Sequence, residues 1–247
     1  MKNIFFLFFL IPFSLFAELS LVLNTENEPP FSMRKNELKS LRPDDPLTGI
    51  SVDILTTLFS RAKLPYVMRI DSWDKSYQRA LEGRDQGVFS TTRTKEREEL
   101  FYWVGPLVVN DWFFVGKESI NANIKEIGDP NLKKIKIGTL KGGSIGFLLK
   151  SNGIPFREFD NGFEGALALK ESRIDLWAVG SATALYYGKK VGTENLKNIF
   201  LLKNHQFLYL ALNKGIPISV VERLNRELGV MRRDGTIKDI YRKYRGF

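Results

Sequence analysis

Cysteine is absent from the 247-residue chain and histidine occurs once, at His205. The first absence excludes disulfides, thiolate metal ligands, a catalytic Cys–His pair and a lipid attached through a thioether. With no cysteine and a single histidine there is no basis for a conventional zinc site. No Ser/His/Asp grouping stands out either, which leaves hydrolase chemistry unsupported. Also missing is an apolar run of bilayer length. Ile4 to Phe16 is almost wholly apolar but short and broken by Pro12, where a span takes ~20 residues. Lys2 precedes that run and Ala17-Glu18 follows it, which is the layout of a secretory signal cleaved after Ala17. A secreted chain without disulfides must hold itself together by its core, so one large or two modest domains are expected.

What is plentiful is positive charge. Lys and Arg total 37 against 28 Asp and Glu, a net charge of +9. Export argues against nucleic acid as the partner, so the charge suits anionic solutes or an anionic surface. The densest basic run, Arg232, Arg233, Lys238, Arg242, Lys243 and Arg245, reads as the solvated side of an amphipathic helix pair. A free, unanchored, exported protein of this kind belongs in a periplasm.

The stretch Asp85 to Arg97, DQGVFSTTRTKER, concentrates the chemistry. Apolar residues suggest a buried strand ending near Phe89. Hydroxyls follow at Ser90, Thr91, Thr92 and Thr94, then a charged turn of helix from Lys95 to Glu99. A strand that stops in hydroxyls and turns into a helix directs free N–H groups outward. Arg97, one turn in, adds a planar fork of donors. That combination fits a carboxylate, because bidentate charge-assisted pairing fixes energy and orientation together. The competing reading is an exposed turn with Arg97 paired to Glu98 or Glu99.

Along the chain, Leu19 to Leu23 reads as a strand followed by the polar loop Asn24 to Glu28. Pro29-Pro30 then presents Phe31 rigidly, for packing or for stacking on a ligand. Residues 32 to 48 read as an exposed excursion. Ile50, Ile54, Leu55, Leu58 and Phe59 share one helical face. Tyr66 to Ile70 is a strand, and Trp73 heads a short helix with Tyr77, Ala80 and Leu81 on its apolar face. This strand–helix alternation predicts a mixed or parallel sheet flanked by helices. Ligands in such sheets gather at the carboxyl ends of strands. The loop after the first strand, Trp73 and Ser90 all fall at that edge.

A long apolar stretch, Leu107 to Val115, gives way to a polar connector, and strand–helix order then recurs. Ile135 to Gly138 opens a strand, Thr139 to Ser144 forms a glycine and hydroxyl loop, and a helix runs through Leu149. Strands follow at Phe156–Phe159 and Ile174–Val179, with a helix at Phe163–Lys170 between them. The glycine loop is not a phosphate loop, since Gly143 stands where that motif needs lysine. Phe207 to Leu212 is a late strand. Val220, Leu224, Leu228 and Met231 line one helix and Ile237, Ile240, Tyr241 and Tyr244 another. His205 is expected at a domain crossover with no chemistry of its own.

Taken in order, Glu26-x-x-Pro-Pro-Phe31, Leu47-Thr-Gly-Ile-x-Val-Asp53, Trp73, Asp85 to Arg97, Gly105-Pro106, Gly138 to Ser144, Arg173-Ile-Asp175 and Asp234-Gly-Thr-Ile-x-x-Ile240-x-x-x-Tyr244 resemble a family 3 extracellular solute-binding protein. The resemblance implies a two-lobed α/β clamp of the type II periplasmic binding protein fold, each lobe a mixed sheet flanked by helices. Residues 18–109 and 206–247 would form lobe one, residues 110–205 lobe two, and residues 1–17 the signal. It implies a monomer that uses no cofactor or metal, is not an enzyme, and holds a small carboxylate-bearing ligand between its lobes. Arg97 would pair with the carboxylate, assisted by Ser90 and Thr92, with Ser144 contributing from lobe two and Trp73 stacking on the ligand. Glu26 and Phe31 complete the expected set. The membrane partner would be the permease of an ABC importer, or a sensory receptor.

The departures bear on the ligand. Receptors for amino acids usually carry an acid just after the strand ending near Val179, and Gly180 stands there. Either Glu26 or Glu28 then accepts the ammonium from lobe one, or the ligand is not an ordinary α-amino acid. A dehydratase on the same scaffold is the enzymatic alternative, with Glu26, Glu28 and Glu164 as its candidate acids.

Overall fold

The computed structural model describes residues 20–35, 46–120, 122–193 and 195–244. The expected signal segment, most of the excursion between residues 32 and 48, and Arg245 lie outside the described residues. The chain begins with β1 (Leu21–Thr25), the short β2 (Met33–Arg34) and β3 (Leu47–Thr48), α1 (Ile50–Arg61), β4 (Tyr66–Ile70), α2 (Trp73–Glu82) and β5 (Gln86–Thr92). A one-turn α3 (Lys95–Glu98) leads into the long β6 (Phe101–Val109), and β7 (Trp112–Lys117) follows. After a 3₁₀ turn at Pro130–Lys134 come β8 (Ile137–Leu140), α4 (Ser144–Ser151), β9 (Arg157–Phe159), α5 (Gly162–Lys170), β10 (Leu176–Gly180), α6 (Ser181–Lys190) and β11 (Leu196–Lys203). The chain closes with β12 (Phe207–Asn213), α7 (Ile218–Arg233) and α8 (Thr236–Lys243).

Two five-stranded mixed sheets result, β4-β1-β5-β12-β6 and β11-β7-β10-β8-β9. In the first, β1 runs parallel to β4 and β5, so their carboxyl ends share one edge. β12 returns antiparallel between β5 and β6. The second sheet repeats the pattern: β10 is parallel to β8, and β7 is antiparallel to β10. Each sheet with its helices forms a lobe, and the molecule is a two-lobed α/β clamp.

Each lobe has its own core, and Met33 and Tyr244 of lobe one also pack against that of lobe two. In lobe one, α1 buries Ile50, Ile54, Leu55, Leu58 and Phe59 on one face, as the 3.6-residue spacing dictates. They meet Leu224, Leu228 and Met231 of α7 and Ile240 of α8. The loop before α1 is tied down by the helix itself. Ile50 N donates to Pro30 O at 2.9 Å and Ser51 N to Phe31 O at 3.0 Å, which satisfies first-turn N–H groups that have no partner within the helix. Gly49, at φ +129°, is required there, because a Cβ would lie 2.3 Å from Phe31 O. In lobe two the fully buried Trp177 packs with Phe159, Ala166, Leu169 and Tyr187. On the other side of that sheet Phe114, Leu132, Ile137 and Leu149 gather.

Two strands cross between the lobes side by side. Asn110 and Asp111 separate β6 from β7, and Asn204 to Gln206 separate β11 from β12. The crossings are stitched together by Asn110 N to Gln206 O at 2.6 Å and Gln206 N to Asp111 Oδ1 at 3.2 Å. His205 lies on the second crossing in a left-handed conformation, φ +49°.

Several expectations need correction. The first strand spans Leu21–Thr25 and includes residues expected in the loop. Asn24 belongs inside because its Nδ2 donates to Gly87 O at 3.0 Å, and Thr25 because its Oγ1 donates to Phe89 O at 3.3 Å. β5 does not stop at Ser90. It kinks there, φ +58°, with a register shift opposite Tyr209–Leu210, and continues to Thr92. α6 and β11 carry no clear sequence pattern. α6 mixes small residues with tyrosines and lysines, and β11 is an edge strand with alternation too weak to read.

Candidate functional site

Both lobes line one cavity, bounded by Glu26, Glu28, Trp73, Ser90, Thr91, Thr92, Arg97, Asn110 and Leu208 from lobe one and the crossing. Thr139, Leu140, Lys141, Gly143, Ser144, Ile145, Val179 and Gly180 close it from lobe two. Its volume is about 70 Å³. The lobes also touch. Asn27 Nδ2 donates to Tyr187 Oη across the gap at 3.5 Å. A Cβ at Gly142 would lie 3.4 Å from Asp74 Oδ1 and 3.7 Å from Trp73 Cδ1.

Arg97 forms the floor. Its Nη1 donates to Thr91 Oγ1 at 3.1 Å and to Thr92 O at 3.4 Å. The guanidinium carbon lies 4.9 Å from the Trp73 ring centre and 5.0 Å from that of Tyr77. Two aromatic faces and two oxygens thus hold it half-buried, and an arginine stays charged under these conditions. Burial pulls its pKa below the usual value, while Tyr77 and Glu26 act in the opposite sense. The surface-pair reading falls to its neighbour: Arg93 takes Glu98, Nε to Oε2 at 2.6 Å, and stacks near Trp103 and Tyr209.

Ser90 sits at the kink of β5, which points its chain toward the cavity. Its Oγ is buried and has no hydrogen-bond partner among the described residues. Leaving a buried hydroxyl unpaired is costly, of order 1–3 kcal/mol, so such an atom at a cavity wall is suited to a ligand.

Two carboxyls line the cavity, and Glu26 is the one that interacts with the guanidinium. Burial raises the Glu26 carboxyl to a pKa of about 7; Arg97 opposes the rise and Asp74 adds to it. Glu28 is raised well above the ordinary range, chiefly by burial, then by Glu26, while a hydrogen bond from Asn110 counteracts. Both side chains retain some solvent contact by surface area, because the cavity itself is open. Asn110 Nδ2 donates to Glu28 Oε1 at 3.3 Å. Its Oδ1 is buried without a partner among the described residues. The same amide fills the space beside Gly180, where a Cβ would lie 1.8 Å from Asn110 Oδ1.

The wall from lobe two is milder. Ser144 opens α4 after the glycine loop, and Thr139 Oγ1 is committed to Ala178 O at 2.9 Å. Lys141 leans out toward Asp160, 3.9 Å away, with most of its side chain in solvent.

Residues 21–247 match the family described as bacterial extracellular solute-binding proteins, family 3. The chain belongs to that family. It is 24% identical over 210 residues to the L-cystine-binding protein TcyA of Bacillus subtilis strain 168, covering 82% of this chain and 74% of the relative. Among solved structures, an ancestral arginine-binding protein bound to arginine superposes with a TM-score of 0.76 at 24% identity, covering 92% of this chain and 98% of that one. A histidine kinase sensor domain with similarity to periplasmic binding proteins reaches 0.77 at 14% identity, covering 92% and 96%. These likenesses establish the fold.

For this solute-binding protein, Glu26, Trp73, Ser90, Thr92, Arg97 and Ser144 come together around one cavity. Phe31 does not join them. It is 1% exposed and packs in the core of lobe one behind the cleft, because its loop is pinned to α1. Glu164 is also elsewhere, on the exposed first turn of α5, where its N–H is capped by Asn161 Oδ1 at 2.9 Å. The sequence reading missed Thr91, Asn110 and Thr139. Thr91 was visible within the hydroxyl run, and its inward orientation follows from the kink at Ser90. Asn110 was hidden in an apolar stretch, and only the crossing of two strands brings it to Glu28. Among the described residues no helix is long and apolar enough to cross a membrane.

Proposed function

We propose that this protein is a periplasmic receptor that captures a small carboxylate-bearing solute, an amino acid or related organic acid, between its lobes and presents it to the permease of an ABC importer. Lobe one is taken as residues 18–109 with 206–247, and lobe two as residues 110–205. The receptor works as a monomer and catalyses no reaction. The observation that carries this reading is Arg97 lining the cavity, held by Thr91 and set near the rings of Trp73 and Tyr77. A carboxylate on that fork replaces hydration with charge-assisted bonds, and Ser90 Oγ and Thr92 extend the donor set. Ser144 reaches the ligand only when the lobes are together, so ligand shifts the open–closed balance by contacts made in one state. Micromolar affinity requires about −8 kcal/mol, within reach of one guanidinium–carboxylate pair, an aromatic contact and a few hydroxyl bonds in a desolvated cleft. Relatives named for binding cystine and arginine support a nitrogen-bearing acid.

The test is a thermal-shift screen of amino acids, dicarboxylates and aromatic acids. A carboxylate ligand raises the melting temperature by mass action in the native protein and not in the Arg97→Ala variant. Unchanged stabilisation of the variant by every such ligand rejects the site.

The likeness to a kinase sensor domain favours one second reading, in which occupancy is passed to a membrane signalling receptor. Pull-down with the ligand-loaded protein separates the two, since import requires a permease and signalling a sensory protein. A dehydratase reading would use the Glu26 carboxyl as general acid, and it predicts phenylpyruvate from prephenate; absence of that product eliminates it.

A further inference from the structure

A second recess opens at the strand crossings, on the other face of β12 from the cleft. Side chains alternate along a strand, so Leu208 lines the cleft while Phe207 and Tyr209 line the recess. Arg93 enters it just after β5, Lys95 and Glu98 from α3, Lys203 from the end of β11, and His205 from the crossing itself. Its volume is about 310 Å³, well above that of the cleft. Thr92 is the residue that both cavities share.

Charge in this recess is one-sided. Its lining carries Arg93, Lys95 and Lys203 against one acid, Glu98. That acid is taken: Arg93 donates to it through Nε at 2.6 Å and again through Nη2, and Lys214 acts on it as well. Arginine has five N–H groups, so three of those on Arg93 are left over. Its guanidinium carbon is held 5.6 Å from the Trp103 ring centre and 5.8 Å from that of Tyr209. Neither Lys95 nor Lys203 has an ion pair among the described residues; the Lys203 ammonium lies 5.5 Å from the Trp112 ring centre. Glu96, on the same turn as Lys95, lies outside the lining and is hydrogen-bonded by Thr94. Like charges around one concavity raise a positive potential that only a charge from outside can cancel. A phosphate monoester brings about −1.5 to −2 at neutral pH and three strong acceptor oxygens. That matches two uncompensated ammoniums and the spare donors of a guanidinium, where a single carboxylate offers one charge and two oxygens. The remaining room suits an organic group, with the rings of His205 and Phe207, centres 6.4 Å apart, beside it.

We propose that this recess is a second ligand site, which takes the phosphoryl group of a small phosphate monoester among Arg93, Lys95 and Lys203 and sets its organic part against His205 and Phe207. Arg93 and Lys95 belong to lobe one and Lys203 to lobe two, so the bound ester ties the lobes together across the crossings. The site is independent of what the cleft binds.

The probes are phenyl phosphate, glycerol 3-phosphate, inorganic phosphate and benzoate, titrated calorimetrically at constant ionic strength into the purified protein and its variants. The native protein is expected to bind phenyl phosphate at least ~10-fold more tightly than benzoate and several-fold more tightly than inorganic phosphate, with glycerol 3-phosphate between. Lys95→Ala/Lys203→Ala lowers the affinity for phenyl phosphate about tenfold or more, and Lys95→Arg/Lys203→Arg keeps it. Arg97→Ala leaves it unchanged, as does Arg232→Ala/Arg233→Ala on the basic helix pair. Hydrogen exchange with phenyl phosphate present should slow at residues 92–98 and 203–207 and not at residues 139–146. The proposal is overturned if phenyl phosphate does not bind, or binds the Lys95→Ala/Lys203→Ala variant as well as the native protein. Loss of binding in Arg97→Ala places the phosphate in the cleft and overturns it too, and loss in Arg232→Ala/Arg233→Ala replaces it with a diffuse basic surface. Inorganic phosphate bound as tightly as phenyl phosphate assigns the recess to the free ion and overturns the monoester. Should the alanine pair fail to fold, Lys203→Met alone and the exchange pattern decide the matter.

Discussion

Lobe one meets the cleft with Glu26, Arg97, the Trp73 ring and the unpaired Ser90 hydroxyl, whereas lobe two meets it with glycines, the Thr139 and Ser144 hydroxyls and the largely apolar Trp112, Leu140, Ile145 and Val179. Both walls are carboxyl edges of similar mixed sheets, so architecture does not cause the difference. In lobe one, Glu26, Ser90 and Arg97 come from segments that are pinned: the loop is tied to α1, β5 is kinked and hydrogen-bonded to β12, and Arg97 is braced by Thr91. In lobe two, Thr139 is committed to its own sheet, Lys141 turns outward, and Ser144 remains. A clamp built this way recognises its ligand on a rigid, preorganised wall and uses the other wall to exclude water. Specificity should therefore map to lobe one and residence time to lobe two.

The largest effect expected of this asymmetry is in Arg97→Ala. Loss of the charged partner of a desolvated carboxylate costs about 3–5 kcal/mol, so calorimetry should find carboxylate affinity reduced by at least ~100-fold with the free protein still folded. A comparable loss from any lobe two substitution would reverse the assignment of roles.

Next comes the dependence of stability on pH. Glu26 has its carboxyl raised from 4.5 to about 7 in the folded state, so folding favours the protonated form. As pH climbs from 4.5 the unfolded chain releases this proton first, stability falls, and the loss is complete above about 7. Because the cleft keeps some water, the size is on the order of 1–3 kcal/mol, or several degrees of melting temperature in a protein of this length. Melting curves of the ligand-free Glu26→Gln/Glu28→Gln double variant between about pH 5 and 8 should be flatter than those of the native protein. An identical slope would mean that the two acids are not buried together.

Trp73→Ala removes one of the two rings flanking Arg97 and should weaken binding about tenfold, consistent with a partly desolvated cation–π contact of about 1–2 kcal/mol. Smallest is Ser144→Ala, which removes one hydroxyl contact and should cost several-fold in affinity, expressed in the dissociation rate measured by stopped flow. If Ser144→Ala instead slowed association, the lobes would have to meet before the ligand does.

Much of the cleft could be read before any coordinates because its residues lie where local pattern is strongest. The hydroxyl run followed by a charged turn announced Ser90, Thr92 and Arg97, and parallel strands bring the loops after β1, β4 and β5 to one edge. The misses have a common cause. Phe31 looked like a presented aromatic because prolines stiffen its loop, yet the first-turn N–H groups of α1 draw that loop down and bury the ring. Asn110 looked like an interruption in an apolar stretch, and only the strand crossing sets its amide between Glu28 and Gly180.

The sequence by itself determined the two strand–helix units, the apolar faces of α1, α7 and α8, and the clustering of hydroxyls and a guanidinium around Arg97, since periodicity and residue chemistry act over a few neighbours. Tertiary structure alone decided which acid interacts with the guanidinium, which hydroxyl is left unpaired, and that an amide fills the place beside Gly180. Those outcomes depend on contacts between segments far apart in the chain, 82 residues for Glu28 and Asn110, where burial and crowding, not local pattern, fix both charge and geometry.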